Sequence, residues 1–474
     1  MKNKYFFDNL DKFGKKIAVI EENGKKITYK QLIKDIEKIK FFLKKKKNLI
    51  FLLSDNSYKF IFSYYASLKN RSVVFLINNS LSLKKIDKLI KIYSPDYIFD
   101  TKNVILKDLK DYNNEKKIND LKIFKINKNK KNKFDSNLAQ LLSTSGSTGS
   151  PKLIKQSYDN IYINTKDIAE ELKIVNKDVL ITTMSPSYTY GLSQINTHIS
   201  MGATIVLNNK TVFEKSFWEK IKKYKVTNFG GVPFFFELLM KIKFYNFDLK
   251  SIKYITQAGG KLNPEILNEL LEKLTKDKIK FYSMYGQTEA GARISILNNK
   301  YSKKKIGSIG KPIGSYKLWI EDDNKTIVKS SNKIGNLMCK GRNVMIGYAS
   351  KKADLNQKQK TDIIDTGDLA YKDKDGFFYI TGRSSRIIKP FGLRINLVEM
   401  ENFLRKKMSK NFICIGNDKK INIYFDDLNL KSEVKDLLAE EFNLKKNLIH
   451  IYSEKEILRD SNGKIIYKIE NYEF

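Results

Sequence analysis

Short, wholly apolar runs alternate with amphipathic segments along most of this chain, and that alternation constrains its fold more than any other feature. Thr28 to Gln31 has the form of a capping box. Behind it Leu32, Ile33, Ile36, Ile39 and Leu43 recur at helical spacing. The run LIFLL at 49–53 suits a buried strand, 57–68 reads as helix, 73–77 as strand and 83–92 as helix. β-runs separated by helices of this length predict βα units and a mostly parallel sheet. The alternation resumes with a helix over 158–172 and strands over 179–183, 252–256 and 279–283. After about residue 382 the pattern becomes helix 397–408, strands 412–415 and 421–425, helix 433–442 and strand 448–452. The expectation is an α/β protein. A large N-terminal domain (1–382) of βα-type subdomains carries mixed or parallel sheets, and a small α+β domain (383–474) follows a boundary at Arg383 to Arg386.

Composition supports a packed fold and narrows the function. Of 474 residues, 41% are hydrophobic and 12% aromatic, enough for a sizeable core. The formal net charge of +37 points first to a polyanion partner. Its make-up argues otherwise: only eight residues are Arg against eighty-one Lys. Arg is the residue preferred for bidentate reading of phosphates and bases. Such a bias fits AT-rich coding and solvated lysine faces, with the basic tract 125–133 as an exposed loop, so no specific nucleic-acid partner is expected. Two cysteines, Cys339 and Cys414, cannot build a disulfide framework, and the two histidines, His198 and His450, stand in unrelated contexts. Histidine-centred catalysis is thereby disfavoured. The opening MKNKYFFDNLDKFGKK has no apolar leader core, and no stretch reaches ~18 consecutive apolar residues, so a soluble, cytoplasmic protein without a transmembrane segment is expected.

The chemistry concentrates in the run from Ser143 to Lys152, STSGSTGSPK. Small residues and glycines let backbone N–H groups approach an anion, hydroxyls add donors and Lys152 adds charge. Thr144, Ser145, Gly146, Ser147, Thr148, Gly149 and Lys152 therefore form a candidate phosphate cradle. It is not the usual P-loop, because Pro151 separates Gly149 from Lys152.

This run resembles the phosphate-loop signature of the adenylate-forming superfamily, which comprises acyl-CoA synthetases, nonribosomal peptide adenylation domains and luciferases. Further motifs follow in the family's order. QAGGKL at 257–262, with Gly259, Gly260 and Lys261, is similar to the adenine-side loop. Tyr285, Gly286, Gln287, Thr288 and Glu289 match Y-G-x-T-E. Thr366-Gly367-Asp368 and the later YITGR ending at Arg383 resemble the ribose and hinge region, GLRI at 392–395 opens the small domain, and RDSNGK ending at Lys464 resembles the catalytic-lysine loop. The details most resemble bacterial acyl-CoA synthetases and free-standing acid:carrier ligases.

The resemblance implies ATP and Mg²⁺ as cofactors, with CoA or a carrier phosphopantetheine as acceptor. A lone carboxylate beside phosphates suits Mg²⁺, which gives Glu289 that role. Thr288 would donate to the α-phosphate. Gly259, Gly260 and Tyr285 would leave a slot for a flat base. Asp368 could accept from both ribose hydroxyls, and Arg383 would add a cation near ribose or phosphate. Lys464 would bridge the attacking carboxylate and the α-phosphate, where positioning and charge neutralisation do the catalytic work. The family rotates its small domain between two half-reactions. The hinge position, commonly Asp or Lys, is Ser385 here, and Leu458 replaces a common proline.

The segment MSPSYTYGLS at 184–193, with Tyr188, Tyr190 and Gly191, resembles the border of the acyl pocket. It lacks the Asp that amino-acid-activating members use for the substrate ammonium, so a carboxylic acid without an α-amino group is favoured over stand-alone amino-acid adenylation. The expected partners are that acid and CoA or an acyl carrier protein. A basic nucleic-acid- or membrane-binding protein is the competing reading from outside the enzymes.

Overall fold

The structure is a computed structural model describing residues 4–44, 46–78, 81–102, 114–125, 133–143, 152–357, 361–388, 390, 393, 395–453, 459, 465 and 467. The chain divides into two compact units. The larger comprises 1–306, 310–317 and 340–364, and the smaller comprises 307–309, 318–339 and 365–474. The expected boundary at 383 falls inside the smaller unit.

In the larger unit the capping box forms as expected. Gln31 N donates to Thr28 Oγ1 at 3.2 Å and Thr28 N to Gln31 Oε1 at 2.8 Å, starting the helix Tyr29–Leu43. Its 3–4 spacing buries Leu32, Ile36, Ile39 and Leu43 on one stripe. The strand Leu49–Ser54 is buried at every position, as a central parallel strand covered on both faces must be. It pairs in parallel with Val73–Asn78 on one side and Tyr97–Asp100 on the other. These belong to an eight-stranded sheet whose far edge runs Leu138–Ser143, Leu153–Ser157 and the two-residue strand Tyr348–Ala349. Ser157 ends its strand and caps the helix Tyr158–Glu171, with Asn160 completing a second capping box.

A second, nine-stranded sheet positions most of the site. Its parallel run includes Val179–Ile181, Asn228–Gly231, Tyr254–Gln257 and Lys280–Gln287, and the antiparallel strand Gly291–Leu297 closes a hairpin onto the last of these. Between the first two of those strands the chain passes through the helix Thr189–Ser200, with ten of its twelve residues buried.

The smaller unit holds a four-stranded sheet in which Ile363–Lys372 pairs antiparallel with Phe378–Arg383. It also holds a three-stranded sheet, Ile413–Gly416, Ile421–Phe425 and Ile449–Ser453. Helices Leu397–Met408 and Lys431–Glu441 share one apolar core with that sheet through Met400, Leu404, Val434 and Leu438. Among the described residues no helix is long and apolar enough to cross a membrane.

Candidate active site

The hairpin Lys280–Gln287/Gly291–Leu297 turns through Thr288, Glu289 and Ala290. Three consecutive carbonyls of this tip are each held by a different part of the chain. Gln156 Nε2 donates to the Thr288 carbonyl at 2.9 Å, Met345 N donates to that of Glu289 at 2.8 Å, and the Tyr316 hydroxyl donates to that of Ala290. With the backbone fixed, the Thr288 and Glu289 side chains have set directions. Thr288 Oγ1 lies 3.0 Å from Thr189 Oγ1, so the turn touches the first residue of the helix that begins within the segment expected to border the acid. Glu289 Oε1 accepts from the Tyr348 hydroxyl at 3.4 Å. Burial, reinforced by Glu289, pushes the Tyr348 phenol up to about 12, so it remains a donor at neutral pH. Lys152 Nζ stands 5.9 Å from the centre of the Tyr348 ring, because Tyr348 pairs with the strand that Lys152 leads into. Lys152 itself is exposed.

Glycines bring the neighbouring loops close. A Cβ on Gly286 would strike the Ala292 carbonyl, so the hairpin can close only with glycine there. Gly259 has φ +88°, and a Cβ on it would meet the Tyr188 hydroxyl. This places the expected adenine-side loop against the expected acid border. Gly260 packs on Pro233, with its carbonyl held by Gln257 Nε2 at 2.8 Å. Lys261 is exposed, while Tyr285 and Gln287 are half-buried on the strand before the turn. A Cβ on Gly191 would strike the Ser185 carbonyl, so glycine lets the helix start fold back on its own segment. Tyr190 is 3% exposed and its hydroxyl lies 2.9 Å from the Thr256 carbonyl and 2.7 Å from Thr256 Oγ1. It is packed as core.

In the smaller unit, Asp368 and Arg383 are directly paired across their strands. Arg383 Nε donates to Asp368 Oδ1 at 2.9 Å; the aspartate is buried and the arginine exposed. Ser385 is exposed in a single helical turn, Ser384–Arg386. Thr144, Ser145, Gly146, Ser147, Thr148, Gly149 and Lys464 lie outside the described residues.

Three residues that sequence reasoning does not single out belong to this neighbourhood: Gln156, Tyr348 and Arg293. Arg293 is 1% exposed, its guanidinium carbon lies 4.5 Å from the Tyr190 ring centre, and Nη1 donates to Ser193 Oγ. The signal for it was present: a cation inside the apolar strand GARISIL, in a chain with eight arginines.

The family profile of AMP-binding enzymes matches residues 6–349. A 2-succinylbenzoate–CoA ligase of Bacillus subtilis (strain 168) is 30% identical over 266 residues, covering 56% of this chain and 53% of that protein. The oxalate–CoA ligase of Saccharomyces cerevisiae is 28% identical over 273 residues, covering 57% and 49%. The chain thus spans about half the length of these curated relatives. The fold is similar to that of the o-succinylbenzoate CoA synthetase (MenE) from Bacillus subtilis, solved in complex with the acyl-adenylate intermediate OSB-AMP. The TM-score is 0.76 at 23% identity, covering 98% of this chain and 97% of that one. With the family profile spanning the sheets and the hairpin that build this site, the chain belongs to the AMP-binding enzyme family.

Proposed function

We propose that this chain is an AMP-forming acid–thiol ligase. A carboxylic acid attacks the α-phosphorus of ATP, pyrophosphate leaves, and the thiol of CoA or of a carrier phosphopantetheine then displaces AMP from the acyl-adenylate. The observation that supports this best is the Thr288–Glu289 turn, where one side chain meets the acid segment through Thr189 and the next points to Tyr348 beside Lys152. Groups suited to the acid and to the triphosphate thus share two adjacent residues. The acid–CoA ligase names of the two relatives point the same way.

The residues present fit Mg-ATP. Glu289 offers hard carboxylate oxygens of the kind Mg²⁺ takes, and its Tyr348 hydrogen bond restrains one of them. When bound, Mg²⁺ would neutralise charge on the phosphates. Lys152, with the cradle 144–149, would hold the phosphates, and Thr288 would donate its hydroxyl to the α-phosphate. Gly259, Gly260, Lys261, Tyr285, Gly286 and Gln287 would form the base side of the nucleotide site. Asp368, which accepts from Arg383 Nε, would accept from the ribose hydroxyls. Tyr188, Tyr190 and Gly191 would border the acid. Residues 383–474 would act as a lid turning at Ser385, and Lys464 would neutralise the approach of carboxylate to phosphate.

Acid-dependent exchange of labelled pyrophosphate into ATP tests this reading. Exchange is expected with some members of a broad acid panel, and Lys464→Ala should remove most of it while ATP still binds. Folded protein that exchanges with no acid would refute the assignment.

A further inference from the structure

Among the described residues Arg293 is a cation buried without a counter-ion. Among the described residues no carboxylate lies within ion-pair distance of it; it donates to the Ser193 hydroxyl, packs on the Tyr190 ring and interacts with the Tyr190 hydroxyl, and its Nε–H has no acceptor. Burying a guanidinium in this way is costly unless an anion completes the site. Burial accordingly lowers its pKa, opposed by the surrounding tyrosines, Tyr190 first. A second buried polar atom in electrostatic range of it, the Tyr254 hydroxyl, also has no partner among the described residues.

The other charged or titratable groups around this cluster do not supply the anion. Asp178 acts on Tyr254 from a distance but is paired with Lys253 Nζ at 2.8 Å. His198 is held neutral, its pKa pulled down to about 4 mainly by burial. Its Nδ1 lies 2.8 Å from the Gln194 carbonyl, which can only accept, so Nδ1 carries the proton.

The location identifies what the cluster could read. Tyr190, Ser193 and His198 all come from the helix Thr189–Ser200, which begins in the acid segment. Tyr254 opens the strand that runs into Gly259 and Gly260, and Arg293 follows the Thr288–Glu289 turn by four residues. The unsatisfied donors therefore lie on the elements that carry the reacting carboxylate's neighbours.

We propose that Arg293, with Ser193 and Tyr254, forms a subsite for a second anionic group on the acid, so that the preferred substrate is a dicarboxylate activated at one end and held at the other. This rests on the ligase reading above. The guanidinium and phenol donate to the distal carboxylate and no bond changes there; the proximal carboxylate alone attacks ATP. A site built around a buried donor discriminates strongly against an analogue that cannot accept from it, because the donor is then left unpaired.

The test uses the full chain and matched acid pairs in the pyrophosphate-exchange assay: succinate against butyrate, glutarate against pentanoate, adipate against hexanoate and phthalate against ortho-toluate. In the best pair the dicarboxylate is expected to exceed its methyl-ended partner in kcat/KM by about a hundredfold or more. Arg293→Met should collapse that ratio toward one, with unfolding temperature and ATP binding checked in parallel. If that variant does not fold, Ser193→Ala carries the comparison and should lower the ratio severalfold. A ratio below about tenfold in every pair of the wild type, or one that the folded variant leaves unchanged, overturns the subsite and assigns the cluster to buried water. No exchange with any acid of either kind would instead overturn the ligase reading itself.

Discussion

Gln156 Nε2 donates to the carbonyl of Thr288 at 2.9 Å, across 132 positions of sequence. The amide cannot turn round, because its Oε1 accepts from Gln140 Nε2 at 2.6 Å, and Gln140 Oε1 in turn accepts from the Tyr64 hydroxyl at 2.8 Å. A buried relay thus runs from the helix Tyr58–Lys69 through two strands of one sheet to the hairpin tip of the other. Gln156→Leu keeps the volume and leaves both neighbours unpaired. It should cost about 1–3 kcal/mol in urea unfolding. By loosening Thr288 it should also lower the rate of acid-dependent exchange by about tenfold or more. Unchanged stability and rate would show that the relay does not hold the tip.

His198 makes stability depend on pH in a defined window. Burial holds its folded pKa at about 4, against an ordinary value of 6.5. Between those values the unfolded chain binds a proton that the folded chain refuses, so stability falls as pH drops from 6.5 toward 4 and the effect levels off below that. A shift of this size corresponds to about 3 kcal/mol. His198→Gln should flatten the acid limb of the stability curve over that window by up to this amount. The difference between the two urea-unfolding profiles, measured from pH 7 to pH 4, reads it directly; parallel curves would contradict the assignment.

What could be read from sequence was what local physics decides. The Thr28–Gln31 box and the apolar run 49–53 announce themselves, because a helix cap needs four residues and a doubly covered strand needs no polar face. The helix Leu397–Met408 and the strand Ile421–Phe425 stand where periodicity puts them for the same reason. Thr288 and Glu289 were found through a motif, but the residues that hold them were not. Gln156 is one amide in the short strand LIKQS, and Tyr348 is one tyrosine in a two-residue strand. Their meaning arises only when the edge strand Tyr348–Ala349 pairs with Leu153 and Ile154. The strands Lys317–Glu321 and Ile363–Lys372 of the four-stranded sheet were likewise illegible, since they alternate only weakly between buried and exposed.

Tyr348 should act on the metal rather than on the fold. The residue is 43% exposed, so Tyr348→Phe should change stability by no more than about 0.5 kcal/mol. The lost hydroxyl no longer restrains Glu289, and a group that orients a metal ligand typically contributes about tenfold or more to metal affinity. The Mg²⁺ concentration for half-maximal exchange should rise by about tenfold, with Glu289→Gln giving the larger effect. A Mg²⁺ titration that superimposes on the wild type would remove Tyr348 from the site.

Two glycines with similar backbones separate strain from collision. Gly259 has φ +88° and Gly367 has φ +70°, so alanine at either carries the penalty of left-handed backbone, about 1–2 kcal/mol. At Gly367 nothing lies within 4 Å of the added carbon, whereas at Gly259 it meets the Tyr188 hydroxyl and comes within 3.2 Å of Val232 Cγ1. Gly259→Ala should therefore be the more destabilising of the two in urea unfolding, and it alone should disturb the acid border. Adding Tyr188→Phe removes the colliding oxygen, so the double variant should be more stable than the sum of the single effects by about 0.5–2 kcal/mol. Strict additivity would mean that the loop and the tyrosine yield independently, and that their close approach does not shape the site.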